Sequence, residues 1–113
     1  MRELPKIYGD ASEDLATLFL EQEEYVIIER NYFARKLGEI DIIAMKDNVL
    51  HFVEVKAGKE DFDPVYNLTA SKLRKVINSA QYYMKSKQLD SVFCVDALII
   101  RGDEIEFLEN ITV

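Results

Sequence analysis

The segment that decides the fold is GEIDIIAMKDNVLHFVEVK, residues 38–56. Two apolar runs, about 39–46 and 49–57, flank the pair Asp47-Asn48. Such a pair favours a tight turn, so the segment is predicted to form a β-hairpin. Both strands resemble core strands, yet away from the turn they carry four charged residues, Glu39, Asp41, Glu54 and Lys56, and these need an explanation.

The four charges gather at one corner when the strands are paired across that turn. A two-residue or a four-residue loop gives the same register, in which Asp41 lies opposite Glu54 and Glu39 lies opposite Lys56. Because side chains alternate along a strand, all four are expected on one face. A three-residue loop or a β-bulge would shift this register. The other face is predicted to be apolar apart from one histidine, with Ile40, Ile42, Ala44, His51, Val53 and Val55.

Directly opposed carboxylates repel each other, and this repulsion suggests a metal site. Asp41 and Glu54 would have Cβ atoms about 4.5–5.5 Å apart, which should raise the pKa of one of them. A Mg²⁺ or Mn²⁺ ion would relieve the conflict, and Lys56 could orient the attacking water or contact a scissile phosphate. The alternative is a solvated corner in which Lys56 bridges Glu39 or Asp41, an interaction worth about 0–1 kcal/mol.

The rest of the chain supplies two helices and three further strands. Hydrophobic periodicity and β-branched content predict helices at 10–24 and 68–87, and strands at 25–32, 91–100 and 104–109. A loop is expected at 57–67. The order helix, three strands, helix, two strands predicts an α/β fold: a mixed sheet containing a three-strand meander, with helices packed on it.

The predicted core has a first-helix stripe and a sheet centre. The stripe is expected to contain Ala11, Leu15, Leu18 and Phe19, widened by Ala16 and Leu20. The centre of the sheet is expected to contain Val53, Val55, Val95 and Leu98.

Composition limits the classes of function. The 113 residues suit one domain, 1–113, and the formal charge of −7 argues against non-specific binding to nucleic acid. No apolar run approaches the roughly 20 residues that cross a bilayer, so a cytoplasmic protein is expected and no membrane partner. The single cysteine, Cys94, is expected to be a buried structural thiol. The single histidine, His51, excludes a multi-histidine metal site and is not assigned a catalytic role.

The motifs GEID at 38–41 and FVEVK at 52–56 resemble those of the PD-(D/E)xK nuclease superfamily. More closely, nearly the whole chain resembles the YraN-like family of small bacterial proteins, which is predicted to be endonuclease-related. The resemblance also covers EDLA at 13–16 and RNY at 30–32, with Lys72 and Ala80 in the second helix. It implies a restriction-endonuclease-like core of order α-β-β-β-α-β-β.

The archaeal Holliday junction resolvases are also similar, because they place a glutamate on the first helix before this hairpin. That resemblance implies that Glu13 is a third acidic ligand; otherwise Glu13 is a first-turn residue that complements the helix dipole. Two departures weaken the expectation of strong nucleic-acid binding. Gly58 and Cys94 stand where relatives often carry basic residues, although Asp96 is kept.

Three hypotheses follow. The first is a metal-dependent DNA endonuclease, with branched or structured DNA as one substrate class and a homodimer expected by analogy. Its catalytic residues would be Glu13, Asp41, Glu54 and Lys56. Glu39 would either contact the residues that bind the metal or be an additional metal ligand. Basic residues that could contact DNA, or else form ordinary solvated surface, are Arg30, Arg35, Lys36, Lys72 and Lys75. The second hypothesis is a non-catalytic nuclease-like module that binds nucleic acid or protein. The third is a purely structural acidic corner.

Overall fold

A computed structural model describes residues 11–58 and 69–111 of the chain. Its elements are α1 Ala11–Gln22, β1 Val26–Phe33, a 3₁₀ helix Arg35–Leu37, β2 Glu39–Lys46, β3 Val49–Gly58, α2 Ala70–Ser86, β4 Val92–Arg101 and β5 Glu104–Leu108. The predicted order of helices and strands is confirmed, and the 3₁₀ helix was not predicted. Most of the predicted loop 57–67 lies outside the described residues. No helix of the described part is long and apolar enough to cross a membrane.

The five strands form one mixed sheet in the order β1-β2-β3-β4-β5. Neighbouring strands are antiparallel except β3 and β4, which are parallel. Parallel neighbours need a crossover connection, and α2 lies in this one. The mixed α/β class predicted from the sequence is therefore confirmed.

The sheet has a helix and an apolar core on each face. On one face, Ala16 and Leu20 of α1 pack with Ile42, Ala44 and Val53. The core on the other face joins α2 to the sheet through Val76, Ala80, Tyr83, Ile43, Leu50, Phe52 and Val95. Of the residues predicted for the centre, Val53, Val95 and Leu98 are buried and Val55 is partly buried against the α1 core.

The predicted apolar stripe of α1 was wrong in part. Leu15 and Leu18 are 40% and 48% exposed, whereas Ala16 and Leu20 are fully buried. Apolar residues occupy more than half of the circumference of this helix, so helical periodicity alone does not choose the buried side. The correction matters for Glu13, because residues 13, 16 and 20 recur at helical spacing and share the side that faces the sheet.

The hairpin has the predicted register over most of its length. Five pairs run from Lys46–Val49 to Ile42–Val53. Asp47 and Asn48 have φ values of 52° and 64°, as a two-residue type I′ turn requires. The local sequence therefore determines both the turn and the side of the sheet on which the following residues lie.

The alternation of side chains between the two faces of β2 breaks at Asp41. The prediction that Ile40 shares a face with Ile42 was therefore wrong. Ile40 packs in the α2 core, whereas Ile42 packs in the α1 core. The break also occurs in β1, where Asn31 has a φ of 53°. Paired residues of β2 and β3 end at Ile42–Val53, one step short of the predicted opposition of Asp41 and Glu54. Bulge-like irregularities of this kind often lie next to functional sites.

The turn gives a direct test of the hairpin. Asn48→Ala should destabilise the protein by about 1–2 kcal/mol, because alanine in the left-handed region brings its Cβ too close to the following carbonyl. Asn48→Gly is the matched control and should be neutral or stabilising, because glycine adopts that conformation freely. Urea denaturation measures both changes. Equal destabilisation by the two substitutions would contradict the type I′ turn.

Candidate active site

Asp41 is fixed by a hydrogen bond to the neighbouring strand. Its Oδ2 accepts a hydrogen bond from the Val55 backbone N–H at 2.8 Å. A regular continuation of the hairpin would bring Ile40 opposite Val55; here the Asp41 side chain supplies the acceptor instead. This bond holds one carboxylate beside the strand segment that carries Glu54.

Glu54 is the electrostatic centre of the corner. Burial, followed by the nearby carboxylates of Asp41, Glu39 and Glu13, raises the pKa of Glu54 and Lys56 lowers it; the net pKa is about 7. Asp41 is the strongest of these charged neighbours. The structure therefore brings all five residues predicted for the catalytic corner into one electrostatic environment.

The first turn of α1 is attached to β1 by an ion pair. Arg30 Nη2 lies 2.8 Å from Asp14 Oδ1 and 3.8 Å from Glu13 Oε1. These side chains are largely shielded from solvent, with exposures of 28% for Arg30, 12% for Asp14 and 13% for Glu13. Arg30 thus positions the helix start that carries Glu13, and its guanidinium faces carboxylates.

The carboxylates of the corner are near one another but not gathered into a tight cage. Among residues 11–58 and 69–111, Glu13, Asp41 and Glu54 do not form a set with donor atoms within 4.8 Å of one another. Like charges at a partly buried site favour such a separation, and a divalent cation would draw the oxygens together. Hard oxygen donors of this type match Mg²⁺ and Mn²⁺.

Arg30 lies on β1 and pairs with α1, whereas the other four basic candidates lie on the 3₁₀ helix and on α2. Arg35 and Lys36 are exposed on the 3₁₀ helix, beside Tyr82 of α2, and line a shallow cleft of about 460 Å³. Gly38 packs against α2 so closely that a Cβ there would lie 3.1 Å from Ser79 Oγ and 3.8 Å from Lys75 Cβ. Lys72 is exposed one turn before Lys75. We call Arg35, Lys36, Lys72 and Lys75 the basic surface; through Gly38 it adjoins Glu39.

A second polar cluster was missed by the sequence analysis. His51 Nδ1 lies 2.6 Å from Asp96 Oδ2 and 3.2 Å from Cys94 Sγ, and Cys94 Sγ lies 3.3 Å from Asp96 Oδ1. Asp96 also accepts a hydrogen bond from the Asn110 backbone N–H, and the Tyr25 ring packs edge-on against His51. The available signal was an aspartate inside an otherwise apolar strand and a histidine inside a core strand. Bringing them together required the parallel register that pairs His51 with Cys94.

The fold and the acidic corner define a small α/β protein with a mixed five-stranded sheet, a helix on each face and a charged site where β2 and β3 separate. The chain belongs to the uncharacterised protein family UPF0102, which matches residues 12–101. This confirms the resemblance to the YraN-like family at the level of the family.

Several bacterial relatives are similar over almost their whole length. A UPF0102 protein of Sulfurovum sp. (strain NBC37-1) is 79% identical over 113 residues, which is 100% of both chains. One from Wolinella succinogenes is 56% identical over 105 residues, 93% of this chain and 95% of the relative. A third, from Helicobacter hepaticus, is 50% identical over 105 residues, with 93% and 94% coverage. These names state a family and no activity.

The raised pKa of Glu54 predicts how stability depends on pH. In the absence of metal, the folded protein keeps this proton up to about pH 7, whereas an unfolded chain loses it near 4.5. Folded protein therefore binds more protons in this window, and stability falls as pH rises. One pKa unit is about 1.4 kcal/mol, so the loss attributable to Glu54 is up to roughly 3 kcal/mol.

Glu54→Gln removes this titration. Its stability relative to wild type, measured by urea denaturation in EDTA, should therefore rise by about 2–3 kcal/mol between roughly pH 4.5 and pH 8. Glu21→Gln, an exposed change on α1, is the matched control and should show little dependence on pH. A difference between Glu54→Gln and wild type that stays constant with pH would contradict the assigned environment of Glu54.

Proposed function

We propose that this protein is a metal-dependent endonuclease that hydrolyses phosphodiester bonds in DNA, with a restriction-endonuclease-like core. The observation that supports this most strongly is the environment of Glu54. Its carboxyl is partly buried, the carboxylates of Asp41, Glu39 and Glu13 are near enough to raise its pKa, and Lys56 is near enough to lower it. Such a concentration of negative charge is costly for the fold, and binding a divalent cation would offset the cost.

Glu13, Asp41 and Glu54 would hold Mg²⁺ or Mn²⁺. Each comes from a different element, α1, β2 and β3, so the folded chain is needed to assemble the ligands. The ion, when bound, would polarise the scissile phosphate and lower the pKa of a water molecule. Glu39 is exposed at the start of β2 and would tune the charge of the corner or add a ligand.

Lys56 would provide the positive charge that the reaction itself needs. It follows Glu54 by two residues on β3 and is partly buried, and it is close enough to lower the pKa of Glu54. An ammonium group there could orient the attacking water or stabilise the negative charge that develops on the phosphate.

The basic surface would hold the DNA backbone. It lies on the 3₁₀ helix and on α2, adjoining Glu39, so a strand bound there would pass the acidic corner. Arg30 has a different role in this proposal, because its ion pair with Asp14 positions α1. Branched or structured DNA is proposed as one substrate class because of the similarity to the Holliday junction resolvases, and a homodimer is proposed by analogy alone.

A second candidate is a nuclease-like module that binds nucleic acid or protein without cleaving it. Two observations favour it: the formal charge of −7, and the absence of basic residues at Gly58 and Cys94. The acidic corner could then bind a metal ion that serves structure alone.

Metal-dependent thermal melting tests the shared part of both candidates. The melting temperature in Mg²⁺ or Mn²⁺ should exceed that in EDTA, because the ion binds only the folded form. Glu54→Gln should lose this rise. Asp41→Asn should lose it too, and since its amide oxygen can still accept from Val55 N–H, the variant should fold. Glu21→Gln should retain the full rise, and a full rise in Glu54→Gln would contradict the site.

Lys56→Met separates catalysis from metal binding. It should keep the metal-dependent rise in melting temperature while cleavage of linear, nicked or four-way DNA falls by about 10²–10⁴-fold, the range expected for loss of a general acid–base group. Wild-type protein that binds metal and DNA but leaves all three substrates intact would contradict the nuclease and support the binding module.

A further inference from the structure

We propose that His51, Cys94 and Asp96 form a second metal site, which binds a transition-metal ion of the Zn²⁺ type. This site is separate from the acidic corner and does not depend on the nuclease proposal. His51 precedes Glu54 by three residues on β3, about 10 Å along the strand. The donor set is nitrogen, sulfur and oxygen, which suits Zn²⁺ and is unsuited to Mg²⁺.

The positions of the donor atoms are close to those that such an ion requires. Bond lengths of about 2.0–2.3 Å place tetrahedral ligand atoms about 3.3–3.6 Å apart. Cys94 Sγ already lies 3.2 Å from His51 Nδ1 and 3.3 Å from Asp96 Oδ1. The His51–Asp96 contact of 2.6 Å must widen by less than about 1 Å. Binding therefore needs a side-chain adjustment and no change in the register of β3 and β4.

The surroundings favour a cation and give it a route of entry. A cleft of about 510 Å³ opens at Cys94 and is lined also by Glu109. The Glu109 carboxylate is close enough to raise the pKa of the Cys94 thiol, so it could approach an ion as a fourth donor or through water. Asp96, fully buried, and Glu109 give the site negative charge. Among the described residues that line the cleft, Lys46 is the one lysine, and it contacts the Glu23 carbonyl and the Tyr25 ring.

A nucleophilic cysteine is the competing interpretation, and the geometry argues against it. A nucleophile, base and orienting acid use the two different ring nitrogens of the histidine. Here Cys94 and Asp96 both approach Nδ1. The Cys94 thiol donates to Asp96 Oδ1 at 3.3 Å, so its proton is directed at the carboxylate and not at a second ring nitrogen. A metal ion needs donor atoms that converge on one point, and the mutual contacts of His51 Nδ1, Cys94 Sγ and the Asp96 carboxylate match this requirement.

Cobalt spectroscopy tests the site without an assay of activity. Apo-protein titrated with Co²⁺ should develop a thiolate-to-cobalt charge-transfer band with a stoichiometry of one ion, and Zn²⁺ should abolish the band by displacement. Excess Mg²⁺ should leave it unchanged. Glu54→Gln should retain the band, because its carboxylate belongs to the acidic corner.

Cys94→Ser should remove the charge-transfer band and weaken Zn²⁺ binding by at least about tenfold. Loss of a residue that only hydrogen-bonds to a metal ligand already costs about that much, so loss of a ligand should cost at least as much. Circular dichroism in EDTA checks that this variant folds. Wild-type protein that shows no charge-transfer band at stoichiometric Co²⁺ would overturn the proposal, whatever the behaviour of the variant. A band that persists in folded Cys94→Ser would overturn it as well.

Discussion

The hydrogen bond from the Val55 amide to the Asp41 carboxylate is the interaction on which the acidic corner depends. It satisfies a main-chain donor where the pairing of β2 and β3 ends, and it holds a negative charge near Glu54. Two backbone irregularities accompany this hydrogen bond. The side chains of β2 stop alternating between the two faces at Asp41, and Asn31 of β1 adopts a left-handed conformation. A regular hairpin would satisfy the Val55 amide with backbone alone and would leave Asp41 without this anchor.

Packing of the helices on both faces then completes the site. Ala16 and Leu20 bury one side of α1 against the sheet, and helical spacing places Glu13 on that same side. The ion pair of Arg30 with Asp14 fixes the start of the helix over β1. Glu13 thereby adds to the negative field at Glu54 from an element remote in sequence. Burial and like charge act together there, and both raise the free energy of the ionised carboxylate.

The sequence was sufficient for local features and insufficient for those that depend on tertiary contacts. Asp47-Asn48 favours one turn type, so the register of the hairpin was predictable. The position of Ile40 in the α2 core was not predictable, because the hydrogen bond from Val55 N–H to the Asp41 side chain replaces a regular backbone hydrogen bond between the strands. The exposure of Leu15 was missed because apolar residues occupy more than half of the circumference of α1. The contact of His51 with Cys94 depends on a parallel register set by the crossover through α2, and no local pattern encodes that register.

The pKa of the Glu54 carboxyl tests the central claim most directly. It can be measured by ¹³C NMR titration of the side-chain carboxyl, with the signal assigned by its loss in Glu54→Gln. In EDTA the pKa should be about 7, and it should fall when Mg²⁺ is added, because the ion favours the ionised form. A pKa near the ordinary value of 4.5 that does not change with Mg²⁺ would contradict both the assigned environment and the metal site.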